Sequence, residues 1–133
     1  MISEPLFQRI DCLNLPVGDL EEALEFYRDK LGHSVIWKTE HSVGLRFPDD
    51  EAELVIRLEK RSPETDITVK SVIDATKRFS EAGGKVVVPP FDIQIGKCVV
   101  VEDPWGNRLV LLDYSKGLLE TDEEDNVTGN SPS

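Results

Sequence analysis

The stretch PVGDLEEALEFYRDKLG, Pro16–Gly32, decides the fold, because it carries the start, the buried face and the stop of one helix in an unbroken run. Asp19 can accept the first free backbone N–H groups, and Glu22 three residues on completes a capping box. Leu20, Ala23, Leu24, Tyr27 and Leu31 then recur at helical spacing, and Gly32 supplies the stop. Upstream, Arg9–Val17 alternates as a strand does, with Ile10, Cys12 and Asn14 on one face, Leu13 and Leu15 on the other, and Pro16 at its edge. Downstream, Ser34–Thr39, Ser42–Phe47 and Glu53–Glu59 are predicted strands joined by short polar turns, one of them holding Pro48-Asp49-Asp50. The unit is strand, helix and three strands.

The same unit then recurs. At an offset of 52, Val17 falls on Val69, Asp19 on Ser71, Ala23 on Ala75, Tyr27 on Phe79 and Gly32 on Gly84. At an offset of 54, Asp49 falls on Asp103, Ala52 on Gly106, Val55 on Leu109 and Leu58 on Leu112. Helix cap, small buried residue, aromatic and closing glycine coincide without a gap, as an internal duplication requires. The second copy reads as a strand over Thr65–Lys70, a helix over Val72–Ala82, and strands over Lys85–Val88, Gly96–Glu102 and Arg108–Tyr114. The expected organisation is an N-terminal arm (1–7), a first βαβββ module (8–61), a second (62–116), and an acidic tail (117–133). The tail lacks periodicity beyond Leu118-Leu119 and is expected to be disordered.

Composition narrows the function. The chain of 133 residues has 26 Asp and Glu against 15 Lys and Arg, a net charge of −11. That acidity, with no basic cluster longer than Lys60-Arg61 or Lys77-Arg78, argues against nucleic-acid binding, which depends on neutralising phosphates. No apolar run approaches the ~20 residues of a spanning helix, and Met1–Gln8 has no leader-like pattern. The two cysteines, Cys12 and Cys98, have no CxxC spacing and fit free thiols in a reducing compartment. A cytoplasmic protein is the expectation.

Pro16–Gly32, AGGKVVVPP (Ala82–Pro90) and VVVEDPWGNRLVLLD (Val99–Asp113) together resemble the vicinal oxygen chelate superfamily, which includes glyoxalase I, bleomycin resistance proteins and extradiol dioxygenases. The resemblance covers about four-fifths of the chain, all but the tail. It implies an α+β fold in which two tandem βαβββ modules form a cup-shaped, curved mixed sheet with helices outside. It also implies a small-molecule ligand and a homodimer, in some members with modules exchanged between chains. With Leu13, Leu15, Ile67, Val69, Leu109 and Leu111 covering the helices, strand alternation sends Cys12, Asn14, Asp66, Thr68, Ile56, Leu58, Val110 and Leu112 to the opposite face. Trp37 and Trp105 are candidate aromatic walls. Plainer roles are open to these residues: Trp105 can pack over a helix, Cys12 can be a small buried hydrophobe, and Asp66 can face solvent.

The resemblance also implies where a metal would sit, on an early residue of each module's first strand and on its last strand. Those positions fall on Cys12 and Glu64, and on Ile56 and Val110. Aliphatic side chains donate nothing to a cation, and Cys12 with Glu64 is too sparse a set for a tight site. A slip of one residue would bring Arg57 to the fourth strand's position, which is no ligand either. His33, directly after the helix, and His41, in a hairpin turn, are expected to be exposed. No metal and no other cofactor is therefore expected.

Three functions compete. The first is a metal-free binding protein of the glyoxalase and bleomycin-resistance type, sequestering or sensing a small organic ligand. Glu64 and Asp66, with no cation yet placed beside them, favour a cationic or amphipathic one. The second is an enzyme, a lyase or isomerase like lactoylglutathione lyase or a dioxygenase, with non-standard ligands or with Glu64 as a general base. The third is a structural or partner-binding domain whose cup is filled by its own side chains.

Overall fold

The computed structural model describes residues 4–131, so the first three residues of the expected arm and the last two of the expected tail lie outside the described residues. The described residues form two compact units, Asp11–Thr65 with Leu119–Gly129, and residues 4–10 with 66–118 and 130–131. The first contains β1 (Arg9–Pro16, but for its first two residues), α1 (Leu20–Leu24) continued by a π-helical turn (Glu25–Lys30), β2 (Val35–Lys38), β3 (Ser42–Phe47) and β4 (Asp50–Arg57). Its strands run in the order β2-β3-β4-β1, with β1 parallel to β4. The second contains β5 (Glu64–Thr68, but for its first two residues), α2 (Val72–Glu81), β6 (Lys85–Ile93), β7 (Gly96–Glu102) and β8 (Arg108–Leu112), in the order β5-β8-β7-β6 with β5 parallel to β8. The α+β class and the duplicated βαβββ order are those expected. No helix among the described residues is long and apolar enough to cross a membrane.

Each helix covers one face of its own sheet. In the first unit Ala23 and Leu24 pack on Val43, Leu45, Leu54 and Ile56, with Leu13, Leu15 and Tyr27 around them. In the second, Val72 and Ala75 pack on Val69, Val99, Val101 and Leu111, with Ile67, Phe79 and Leu109 around them. Side chains such as Leu45, Ile56 and Leu111, each at 0% exposure, contribute about 1.5–3 kcal/mol apiece by leaving water. The caps are as the sequence requires: Asp19 accepts from the Glu22 N–H at 3.0 Å and Ser71 from the Asp74 N–H at 3.2 Å.

The helices differ in one respect. The Leu31 N–H reaches back five residues to the Phe26 carbonyl at 3.0 Å, a π-type bond, and the first helix closes at Gly32 with φ 86°. The second closes at Gly83, with φ 108°, rather than at the expected Gly84. Asp19 to Gly32 is thus one residue longer than Ser71 to Gly83, and the π turn is where the extra residue is taken up.

The start of α2 is tied to the end of β8 by Asp113. This carboxylate, 3% exposed, accepts from the backbone N–H groups of Val72 (2.8 Å), Lys97 (2.9 Å) and Ser115 (3.2 Å) and from the Ser115 hydroxyl (2.7 Å). Burial pushes its carboxyl pKa up, but the donors from Val72, Ser115 and Lys97 outweigh that and hold it below its ordinary value of 3.8.

The segment expected to be a disordered tail instead forms a hairpin of β9 (Leu118–Thr121) and β10 (Val127–Ser131). Its turn repeats the turn between β7 and β8. In Asp103-Pro104-Trp105-Gly106-Asn107 the Asp103 carboxylate accepts from the backbone of Trp105 and Asn107, both at 2.9 Å, and from the Asn107 amide at 2.8 Å. In Asp122-Glu123-Glu124-Asp125-Asn126 the Asp122 carboxylate accepts in the same way from Glu124 and Asn126, both at 2.9 Å, and from the Asn126 amide at 3.3 Å. The left-handed residue is Gly106 (φ 88°) in one and Asp125 (φ 67°) in the other. Each turn's Asn holds its Asp below the usual carboxylate range, through its side-chain amide at Asp103 and its backbone N–H at Asp122. A run of acids looks like a solvated tail, and the spacing of Asp and Asn within it makes it a turn.

Candidate functional site

Because Leu13, Leu15, Leu54 and Ile56 are committed to α1, the other face of the first sheet carries Cys12, Asn14, Glu53, Val55 and Arg57. Pairing lines them up: Trp37 lies opposite Gly44, Gly44 opposite Val55, and Val55 opposite Asn14. A Cβ at Gly44 would stand 2.1 Å from Trp37 Nε1, so the absent side chain is what lets the indole lie across the strand. The indole N–H donates to Glu53 Oε1 at 2.7 Å, which fixes the ring.

Asn14, 2% exposed, sits at the end of that row. Its amide nitrogen donates to Cys12 Sγ at 3.3 Å and to the Glu64 carbonyl at 3.4 Å, while its oxygen accepts from Arg57 Nη2. Arg57 Nη1 lies 3.6 Å from Glu59 Oε1, and Arg57 Nε is buried with no hydrogen-bond partner. Arg61 stands 3.3 Å from both Glu59 and Glu64. The site is an aromatic surface beside a fixed amide, a thiol and a partly buried guanidinium.

The structure corrects two expected positions on this face. Ile56 faces α1 and is a core residue, and Leu58 lies beyond the end of β4 at 36% exposure, its N–H donating to the His41 carbonyl at 2.9 Å. The physical reason is the turn between β3 and β4. It carries an irregularity between Arg46 and Phe47, whereas the turn between β7 and β8 pairs without a break, so counting across from Ala52 lands one residue out. The register matches Leu54 with Leu109 and Ile56 with Leu111, an offset of 55. Val55 is then the counterpart of Val110, and Arg57, two residues on, shares its face. The polar contribution of β4 was missed because the alternating run was read one step out of phase.

In the second unit Asp66, Thr68, Val110 and Leu112 do share the face turned from α2, Asp66 opposite Val110 and Thr68 opposite Leu112. Glu64, at the start of β5, falls within the first unit, its carboxylate engaged by Arg61. Trp105 is 84% exposed at the tip of its turn and joins neither face. The reason for expecting a cationic ligand was that two carboxylates lacked a cation. Arg61 removes it for Glu64, and Arg57 adds positive charge to the same unit.

The donor set does not fit a divalent metal. Val55 and Val110 offer no donor atoms, Cys12 Sγ accepts from Asn14, and no three His, Cys, Asp or Glu among the described residues gather into a group able to hold one. An open groove of about 520 Å³ beside the β3–β4 turn, lined by residues such as Phe47, Pro48 and Asp50, contains none of the expected site residues.

A family model described as the Glyoxalase/Bleomycin resistance protein/Dioxygenase superfamily matches residues 9–111. The chain belongs to that superfamily. No curated protein sequence matches it. Among solved structures of the superfamily's fold, methylmalonyl-CoA epimerase from Mycobacterium tuberculosis is similar with a TM-score of 0.68 and 19% identity, covering 86% of this chain and 93% of that one. Homoprotocatechuate 2,3-dioxygenase from Brevibacterium fuscum is similar with a TM-score of 0.60 and 25% identity over 83% of this chain, which spans only 37% of the dioxygenase. The hypothetical protein BH1468 from Bacillus halodurans C-125 is similar with a TM-score of 0.65 and 16% identity, covering 86% of this chain and 97% of its own.

Proposed function

We propose that this superfamily member binds a small organic molecule on the face of the first sheet turned from α1, and holds it without a metal and without transforming it. The observation that carries this is the row Trp37, Asn14 and Arg57: a fixed aromatic surface beside oriented donors and acceptors, the composition of small-molecule sites. Sequestration suits the chemistry present. A Lewis acid needs donors that Val55 and Val110 lack, and Glu64, the candidate base, is held in an ion pair with Arg61 at 3.3 Å. Dialysis followed by elemental analysis is expected to find substoichiometric transition metal in the folded protein, and one ion per chain would overturn the metal-free half. Native mass spectrometry of protein purified from its source is expected to show a retained small molecule, lost in Trp37→Ala, and the same experiment reads whether the chain is the homodimer we propose.

A second reading is an enzyme, a lyase, isomerase or dioxygenase, and its dioxygenase form is supported by the 25% identity to homoprotocatechuate 2,3-dioxygenase. Turnover of a glutathione hemithioacetal or a catechol that disappears in Glu64→Gln would establish it in place of sequestration.

A further inference from the structure

Arg57 is the least satisfied group in the first unit. Its side chain is 21% exposed, so most of the water that would solvate a guanidinium is gone. Of its donors, Nη2 is used by the Asn14 oxygen, and Nη1 reaches Glu59 only at 3.6 Å. That Glu59 carboxylate is 62% exposed and shared with Arg61 at 3.3 Å, so it is a weak counterion for Arg57. Nε is enclosed and spends its hydrogen on nothing. A buried donor left unmade costs about 1–3 kcal/mol, and folded proteins keep few of them. The group is nevertheless held in place, since Asn14 accepts from it while donating to Cys12 Sγ and the Glu64 carbonyl. A guanidinium that is desolvated, pinned and short of acceptors is prepared for one more acceptor, and with Nε enclosed a planar carboxylate would meet the Nη1 and Nη2 donors, a paired match that a single-point acceptor could not make.

We propose that the ligand carries a small carboxylate and that Arg57 receives it, with the remainder of the ligand lying towards Trp37. Asn14 is a positioning residue, which orients the guanidinium. This rests on the small-ligand function above and names the class of ligand. It reverses the sign expected from the chain's net charge of −11, because the nearby acids are already engaged, Glu59 and Glu64 by Arg61 and Glu53 by the Trp37 indole, while Arg57 is partly buried and short of acceptors.

The test uses the full-length protein and three probes of one shape, benzoate, benzamide and benzylamine, titrated while the arginine Nε–Hε resonances are followed by NMR. Benzoate is expected to shift the Arg57 resonance and to bind at least about tenfold tighter than benzamide, with benzylamine weakest. Arg57→Gln is expected to abolish that preference. Arg57→Lys, which keeps the charge but loses the fork, is expected to reduce it, and Lys77→Gln, an exposed change on α2 that removes the same charge, to leave it intact. Should the Arg57 variants fail to fold, the wild-type resonance still decides. Benzamide binding as tightly as benzoate, or benzylamine binding best, overturns the carboxylate while the small-ligand function stands. No binding of any probe to the folded wild type at millimolar concentration overturns both.

Discussion

Two buried side chains, Ile56 and Asp113, show how position sets a residue's role. Ile56 has no exposed surface and packs beneath α1, so Ile56→Ala is expected to cost about 2–5 kcal/mol in denaturant unfolding and to leave ligand affinity unchanged. A residue lining the site would show the reverse. Asp113 joins three backbone N–H groups, and Asp113→Asn keeps its shape while removing the charge that attracts them. The loss is expected to be about 1–3 kcal/mol at neutral pH. Because the folded protein holds this carboxyl below 3.8, its contribution is present above that value and fades as pH falls through the lower folded value. Wild type and Asp113→Asn should therefore converge in stability only below about pH 4. Cys12, Asn14, Asp66 and Thr68 were legible from alternation alone, because each flanks an apolar residue committed to a helix. Arg57 and Asp113 were not: one depends on a strand's phase after an irregular turn, the other on three donors far apart in sequence.

At the level of elements, the chain tolerates single extra residues where a hydrogen-bond ladder can widen. Deleting Asp29, an exposed residue of the π turn, should convert Glu25–Lys30 to ordinary helix with the length of α2. Circular dichroism and unfolding are expected to place the variant within about 1 kcal/mol of wild type, whereas deleting Lys77 from α2 displaces Phe79 and Gly83 and should cost far more. The Asp122 turn makes a second prediction. Asp125 sits at φ 67°, where glycine has no Cβ to accommodate, so Asp125→Gly is expected to be neutral or slightly stabilising. Asp125→Val should lower stability by about 1 kcal/mol or more. Element types and order were readable because caps, periodicity and glycines agree. The final hairpin was hidden because its turn uses an aspartate where its twin uses glycine, and five acids dominate the composition of the segment.

At the scale of the molecule, the hairpin carries five of the 26 acids and none of the bases, so residues 1–116 have a net charge of −6. It is tied down at both ends: Lys38 donates its backbone N–H to the Asp125 carbonyl at 2.8 Å, and the Asn130 side chain donates to the Gln94 carbonyl at 2.8 Å. A chain ending at Lys116 is expected to lose about 1–2 kcal/mol and, with the Lys38 end of β2 no longer bridged to Asn126, to self-associate as its concentration rises, read by light scattering. The duplication was visible in the sequence, and its small mismatches were not, since an offset that drifts by one residue is set by turns and not by composition. Once the drift is allowed for, the matched positions show a division of labour. Asn14 and Asp66 descend from one position, as do Arg57 and Leu112, yet the first sheet presents an amide and a guanidinium where the second presents an acid and an aliphatic. A gene that holds two copies of one surface can let selection spend mutations on one while the other keeps its packing.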